Sequence, residues 1–266
     1  MTVGERRARF RELHAAEGIF VMPNAWDEGS ARLLAWSGFD AIATTSAGFA
    51  WTLGRNDQSV TREELVTHVA RLSAATDLPL SVDSERLFAP DPAGVAGTVR
   101  LLAAAGAAGC SIEDYDPATG RIDPVDVAAE RVAAAAAAAH EDEPMVLTAR
   151  SENHLHGVDD LDDTIARLVA YAAAGADAVY APGLTDPADI RAVVTAVGVP
   201  VNVLALPDTP SVAELGELGV RRVSTGSLLA GAAYGALLAG ARELRIRGTS
   251  EYGRAGLPGD VRTAAF

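Results

Sequence analysis

The chain has 266 residues, 49% of them apolar and 22% charged, which suits one large α/β barrel or two ordinary domains with a sizeable core. Its formal net charge of −14 excludes nucleic acid and anionic membrane surfaces as expected partners and suits cation binding. All 22 basic residues are arginine, so lysine-dependent aldolase and pyridoxal chemistry is excluded, while arginine remains to grip carboxylate or phosphate.

The N-terminal segment 1–18 opens with MTVGERRARFREL, a charged amphipathic helix rather than a secretory signal. No apolar run reaches the roughly 18–20 residues needed to span a bilayer. The single cysteine, Cys110, has no internal disulfide partner, and a cytoplasmic location is expected. Short β-branched runs then alternate with alanine-rich segments of helical period. Strands are expected at 19–25, 41–46, 78–85, 109–115, 145–150, 177–183, 200–206 and 221–227. Helices intervene, as in TREELVTHVARLSAAT and PVDVAAERVAAAAAAAHE, and the polyalanine at 133–139 is read as helix. Helices ending in Gly before a strand, as in SGFDAI and AGADAVY, carry a C-cap signature. Asp-Pro pairs at 91–92, 123–124 and 186–187 sit at expected helix starts. Eight βα units of this length predict an α/β (β/α)8 TIM-type barrel in one domain, 1–266, closed by a C-terminal helix and tail at 228–266. A doubly wound sheet is the alternative, but no G-x-G-x-x-G follows the first strand.

Active sites of such barrels lie at the carboxyl ends of the strands. Those ends bring Asn24, Trp26 and Asp27, then Thr45, Ser46 and Ala47, then Asp83 and Glu85, Glu113 and Asp114, Arg150 and Glu152, and Asn202. Buried carboxylates without partners cost several kcal/mol or more, so a cation should meet them. An all-oxygen set suits a hard ion, Mg2+ or alternatively Mn2+, held by Asp83, Glu85 and Glu113. The other reading is ion pairing with Arg86 and Arg150. Trp26 walls the pocket or packs in the core. His154 and His156 read as an exposed loop pair, with a substrate contact as the alternative, and His14, His68 and His140 as surface residues of helices. Gly226-Ser227 is a phosphate-binding turn or an ordinary helix cap.

PNAWD, TTSAG with LGRND, SVDSE, SIED and TARSE, in that order, resemble the isocitrate lyase / phosphoenolpyruvate mutase superfamily from about Phe20 to Leu229. The resemblance implies that Thr45, Ser46 and Ala47 hold the substrate's carboxylate and that Asp57 approaches the metal or substrate. It implies that Asp83, Glu85 and Glu113 hold Mg2+ largely through water, that Arg150 binds a carboxylate or phosphonate, and that Asn202 supplies a polar group. It implies further a 2-oxo acid substrate, a stabilised enolate, and homo-oligomers with the C-terminal helix exchanged between subunits. Lyase members carry K-[KR]-C-G-H after the fourth strand, where this chain reads DYDPATGRIDP. The expected function is therefore Mg2+-dependent C–C cleavage of a small 2-oxo acid in a reaction other than isocitrate cleavage. The alternatives are C–P chemistry on a phosphonate and a non-catalytic metabolite-binding barrel.

Overall fold

Pro23 has no amide hydrogen for a ladder, and it splits the first strand into Phe20–Met22 and Asn24–Ala25. In the computed structural model, which describes residues 1–266, the first half pairs with the last strand and the second half with the next strand. The sheet has nine parallel segments, two of which are halves of this one strand, so it closes as a barrel of eight strands. The others are Ile42–Thr44, Leu80–Val82, Gly109–Glu113, Val146–Arg150, Ala178–Tyr180, Val201–Leu204 and Arg222–Ser224. Most are shorter than expected, because residues beyond Thr44 and Val82 leave the ladder to build the mouth.

Each strand is followed by a helix whose apolar face lies on the barrel. The polyalanine segment is the helix Val125–Ala139, which buries Ala128, Val132, Ala135 and Ala139. Gly38, Gly106, Gly175 and Gly219 end their helices at φ between 85° and 105°, a left-handed conformation that costs other residues energy. Asp91 and Asp186 cap their helices through Gly94 N and Ala188 N. The expected cap at Asp123 does not form: Pro124 takes the cap position, and Asp123 accepts from Arg86 Nη2 at 2.6 Å. A buried carboxylate gains more from a nearby guanidinium than from one backbone amide.

The N-terminal helix, Val3–Ala15, closes the barrel's amino end. Arg6 Nη1 donates to Ser73 O at 2.7 Å and Arg7 Nη2 to Ala103 O at 2.7 Å, both near helix C-termini where cations are favoured. Phe10 is fully buried over Gly109, where an added Cβ would stand 2.7 Å from its ring. Two histidines expected at the surface are buried. His14 follows Phe10 into the barrel floor, and His68 stacks on Phe49 with ring centroids 3.7 Å apart.

Besides the 3-10 helices Asn153–His156 and Glu251–Ala255, three elements depart from the expected pattern. Ser46–Thr52 is a helix, DYDPATGRIDP folds as a hairpin pairing Tyr115–Asp116 with Arg121–Ile122, and Gly259–Ala265 is a short helix against Glu28–Trp36. The helix Leu228–Arg247 buries only Ala230 and Gly240, leaving Leu237 and Ile246 67% and 71% exposed. No helix is long and apolar enough to cross a membrane.

Candidate active site

The carboxyl ends of the strands surround a cavity of ≈ 170 Å3. Thr45, Ser46, Ala47 and Asp57 line one side, and Asn24, Asp83, Arg150, Asn202 and Gly226-Ser227 are the other predicted residues that reach it. Trp26, Glu85 and Glu113 stand outside the lining. Trp26 instead backs the mouth, its Cβ lying against Gly48 of the helix after the second strand.

Arg150 organises the mouth. Its Nη1 meets Asp83 Oδ1 at 2.7 Å and Glu113 Oε2 at 3.4 Å, and its Nε donates to Glu152 Oε1 at 2.7 Å. The guanidinium also lies 5.3 Å from the Tyr180 ring centroid, close enough for cation–π attraction. Burial alone would weaken its hold on the proton, but Glu152, Asp83 and Glu113 together keep its pKa well above the ordinary value. Asp83 is further tied by Ser46 N–H donating to Oδ2 at 2.9 Å, while its own N–H donates to Thr44 Oγ1 at 2.8 Å. Thr45 starts the short helix by accepting from Gly48 N. The TTSAG stretch thus opens a helix at the mouth, where Ala47 lines the cavity and the Ser46 N–H is already taken by Asp83.

The other acids differ in setting. Glu113 accepts from Gln58 Nε2 at 3.1 Å, and burial pushes its carboxyl well above the usual range against the pull of Arg150. Glu85 is buried and forms no ion pair; loss of water, then Asp83 and Asp57, push it up to about 8. Its backbone is left-handed, at φ 47°, as are Leu87 and Phe88, each costing on the order of 1–3 kcal/mol that a functional loop must offset. Asp57 is exposed as a residue, yet its carboxyl is raised, chiefly by lost hydration at the mouth and less by Asp83. Asp114 faces away from the cavity, accepting from Tyr171 Oη at 2.6 Å and Glu152 N at 2.9 Å.

Several expectations resolve here. Arg150 does pair with the acidic set, whereas Arg86 belongs to Asp123. Cys110 is fully buried, its thiol pushed up to about 12 by desolvation. His154 sits half-buried beside Thr164, whereas His156 is exposed as expected and stacks on Tyr115 at 3.6 Å. Gly226 N–H is consumed by Asn24 Oδ1 at 2.9 Å and Ser227 makes no cap bond, so this turn is neither a phosphate cradle nor an ordinary cap. Gln58, Tyr180 and Arg222 also belong to the site, and residue types at strand ends do not mark them. The two-residue period that places Arg222 and Ser224 on one face of the last strand was the available signal.

No three Asp, Glu, His or Cys side chains stand together closely enough to chelate an ion directly. The donor chemistry still fits a hard dication held mainly through water. Asp57, Asp83, Glu85, Glu113 and Glu152 crowd one guanidinium, and the surplus negative charge is oxygen-borne.

A closed barrel whose strand ends set one partly buried arginine among carboxylates, beside a helix start, defines the site of a barrel enzyme for small anionic substrates. The chain belongs to the phosphoenolpyruvate phosphomutase family, matching it over residues 10–245. A solved structure from Burkholderia cenocepacia, provisionally described as a lyase/mutase, superposes with a TM-score of 0.94 at 50% identity, covering 98% of this chain and 95% of that one. A "Probable 2-methylisocitrate lyase 2" of Corynebacterium glutamicum is 33% identical over 91% of this chain and 77% of its own. An oxaloacetate decarboxylase of Paraburkholderia xenovorans is 32% identical over 84% and 75%.

Proposed function

We propose that this protein is a cytoplasmic Mg2+-dependent carbon–carbon lyase that cleaves a small 2-oxo acid, by decarboxylation or a related split, through an enolate. The observation that carries this reading is Arg150, partly buried and paired with Asp83, Glu113 and Glu152 at the cavity mouth. Asp83, Glu85 and Glu113 would hold the ion, and Mn2+ is an acceptable substitute. Bound there, the ion supplies positive charge opposite the oxygen on which charge grows as the bond breaks. Arg150 orients the substrate's carboxylate through its planar fork, and the Thr45-Ser46-Ala47 turn lines the cavity at the same end. Asp57, with its raised carboxyl, is suited to relay a proton at the mouth. Asn202 holds the cavity wall by donating to Ser224 Oγ at 2.9 Å.

The decarboxylase and lyase relatives favour C–C cleavage, and the absent K-[KR]-C-G-H segment argues against isocitrate itself. The family's own name keeps C–P chemistry as the second reading. The exposed apolar residues of Leu228–Arg247 support a homo-oligomer, a tetramer with that helix exchanged between subunits. The test is pyruvate release from oxaloacetate and phosphate release from phosphonopyruvate, each with Mg2+ and with chelator. Metal-dependent pyruvate release is expected. Phosphate release alone would move the assignment to C–P chemistry, and neither product across a 2-oxo acid panel would leave a binding barrel.

A further inference from the structure

Below the mouth, the barrel interior holds a second cation that no carboxylate offsets. Arg222, on the last strand, is 3% exposed. Its Nε donates to Asn202 Oδ1 at 2.8 Å, its Nη1 to His14 Nε2 at 3.0 Å and its Nη2 to Thr148 Oγ1 at 2.9 Å. All three acceptors are neutral. An arginine N–H can only donate, so His14 Nε2 is the bare nitrogen, and Nδ1 carries the hydrogen given to Phe10 O at 2.8 Å. The ion pairs inside the barrel gather instead around Arg150. A guanidinium has about five N–H groups, so roughly two of this one's remain after those three bonds.

An isolated buried charge costs several kcal/mol, and arginine does not escape by losing its proton at neutral pH. The Thr148 hydroxyl beside it is poised as a donor. Thr148 Oγ1 accepts from Arg222 and so retains its own hydrogen for a further partner, while Ser224 Oγ accepts from Asn202 Nδ2 and meets the Tyr180 hydroxyl. The cavity extends to this depth, since Arg222, Thr148, Ser224, Ser81 and Ser111 all line it. Open volume walled by one uncompensated cation and several hydroxyls has the chemistry of an anion receptor.

We infer that the cavity floor is an anion seat, in which Arg222, with the Thr148 hydroxyl, binds one compact anion of carboxylate or halide size. Two sources share that chemistry: the far carboxylate of a diacid whose near end lies at Arg150, and a free inorganic anion. Thr148 precedes Arg150 by two residues on one strand, about 6.6 Å of extended chain, a scale comparable with a short diacid. Only the diacid source rests on the lyase reading; the seat rests on Arg222's own surroundings.

Bromide is the probe, since its anomalous scattering locates it. Crystals of the full chain soaked in bromide should show a peak against the Arg222 guanidinium. Succinate, an inert diacid, should then displace it if the seat serves substrate, while a peak that persists assigns a free anion; both outcomes support the seat. In solution, bromide should raise the melting temperature of wild type by mass action and should fail to do so for Arg222→Gln. If that variant does not fold, Thr148→Val serves, with an expected loss of about fivefold or more in apparent bromide affinity. Absence of a peak at Arg222, or a peak without any bromide-dependent stabilisation in solution, would overturn the inference. Neither readout needs turnover, so failure here and failure of the lyase reading are separate results.

Discussion

Arg150 meets three carboxylates, and the same crowding that holds it in place makes the mouth receptive to a dication. Replacing it with lysine keeps the charge and removes the planar fork. Arg150→Lys is therefore expected to lower kcat/KM by about 100-fold or more with an unchanged melting temperature; steady-state kinetics against the preferred 2-oxo acid checks it. His68 makes a different case. Burial depresses it from its ordinary 6.5 to about 4, so unfolding takes up a proton between those values. Its contribution to stability is full above pH 6.5 and is lost as pH falls toward 4. His68→Leu should flatten that acid limb in thermal melts recorded at a series of pH values, and an unchanged limb would contradict it. At this scale the sequence showed residue types and order well. Asp83, Arg150 and Thr45-Ser46 were legible because strand ends are where a barrel keeps its chemistry. Which way a side chain points was not legible. Asp114 follows Glu113 and so faces the opposite side, toward Tyr171. His14 looks like a helix-surface residue until the helix is seen to plug the barrel.

The elements were largely readable, because their punctuation is local. Glycine C-caps, two of three Asp-Pro starts and the 3.6-residue apolar period each depend on a few neighbouring residues. The hairpin after the fourth strand was not readable, since what fixes it is distant. Asp123, at its end, is gripped by Arg86, and Arg167 reaches Asp123 O at 2.7 Å. The left-handed backbone at Glu85, Leu87 and Phe88 also leaves no mark in composition. Tyr171 and Arg167 tie the helix Leu161–Ala173 to Asp114 at the end of the fourth strand. Tyr171→Phe takes one charge-assisted hydrogen bond from a buried carboxylate and is expected to cost about 1.5–3 kcal/mol. Denaturant unfolding measures it; a loss within error would mean that Arg167 and the Glu152 amide suffice for Asp114.

For the whole molecule, exposed apolar side chains are scattered singly over most helices but concentrate on the last long one. Leu237, Leu238, Leu244 and Ile246 are each more than half exposed on one 20-residue helix, a surface that water does not favour. Leu237→Glu combined with Ile246→Glu should lower the mass measured by light scattering to that of a single chain while leaving the circular dichroism unchanged. A wild type that already runs as a single chain would refute an oligomer built on this helix. The most direct test of the central claim, a carboxylate grip shared by Arg150 and a dication at the acidic mouth, is calorimetric titration with oxalate, with and without Mg2+. The account predicts binding only when Mg2+ is present, weakened at least about tenfold by Asp83→Asn and by Arg150→Gln. Equal oxalate affinity in chelator, or no oxalate binding by wild type with Mg2+, would contradict it.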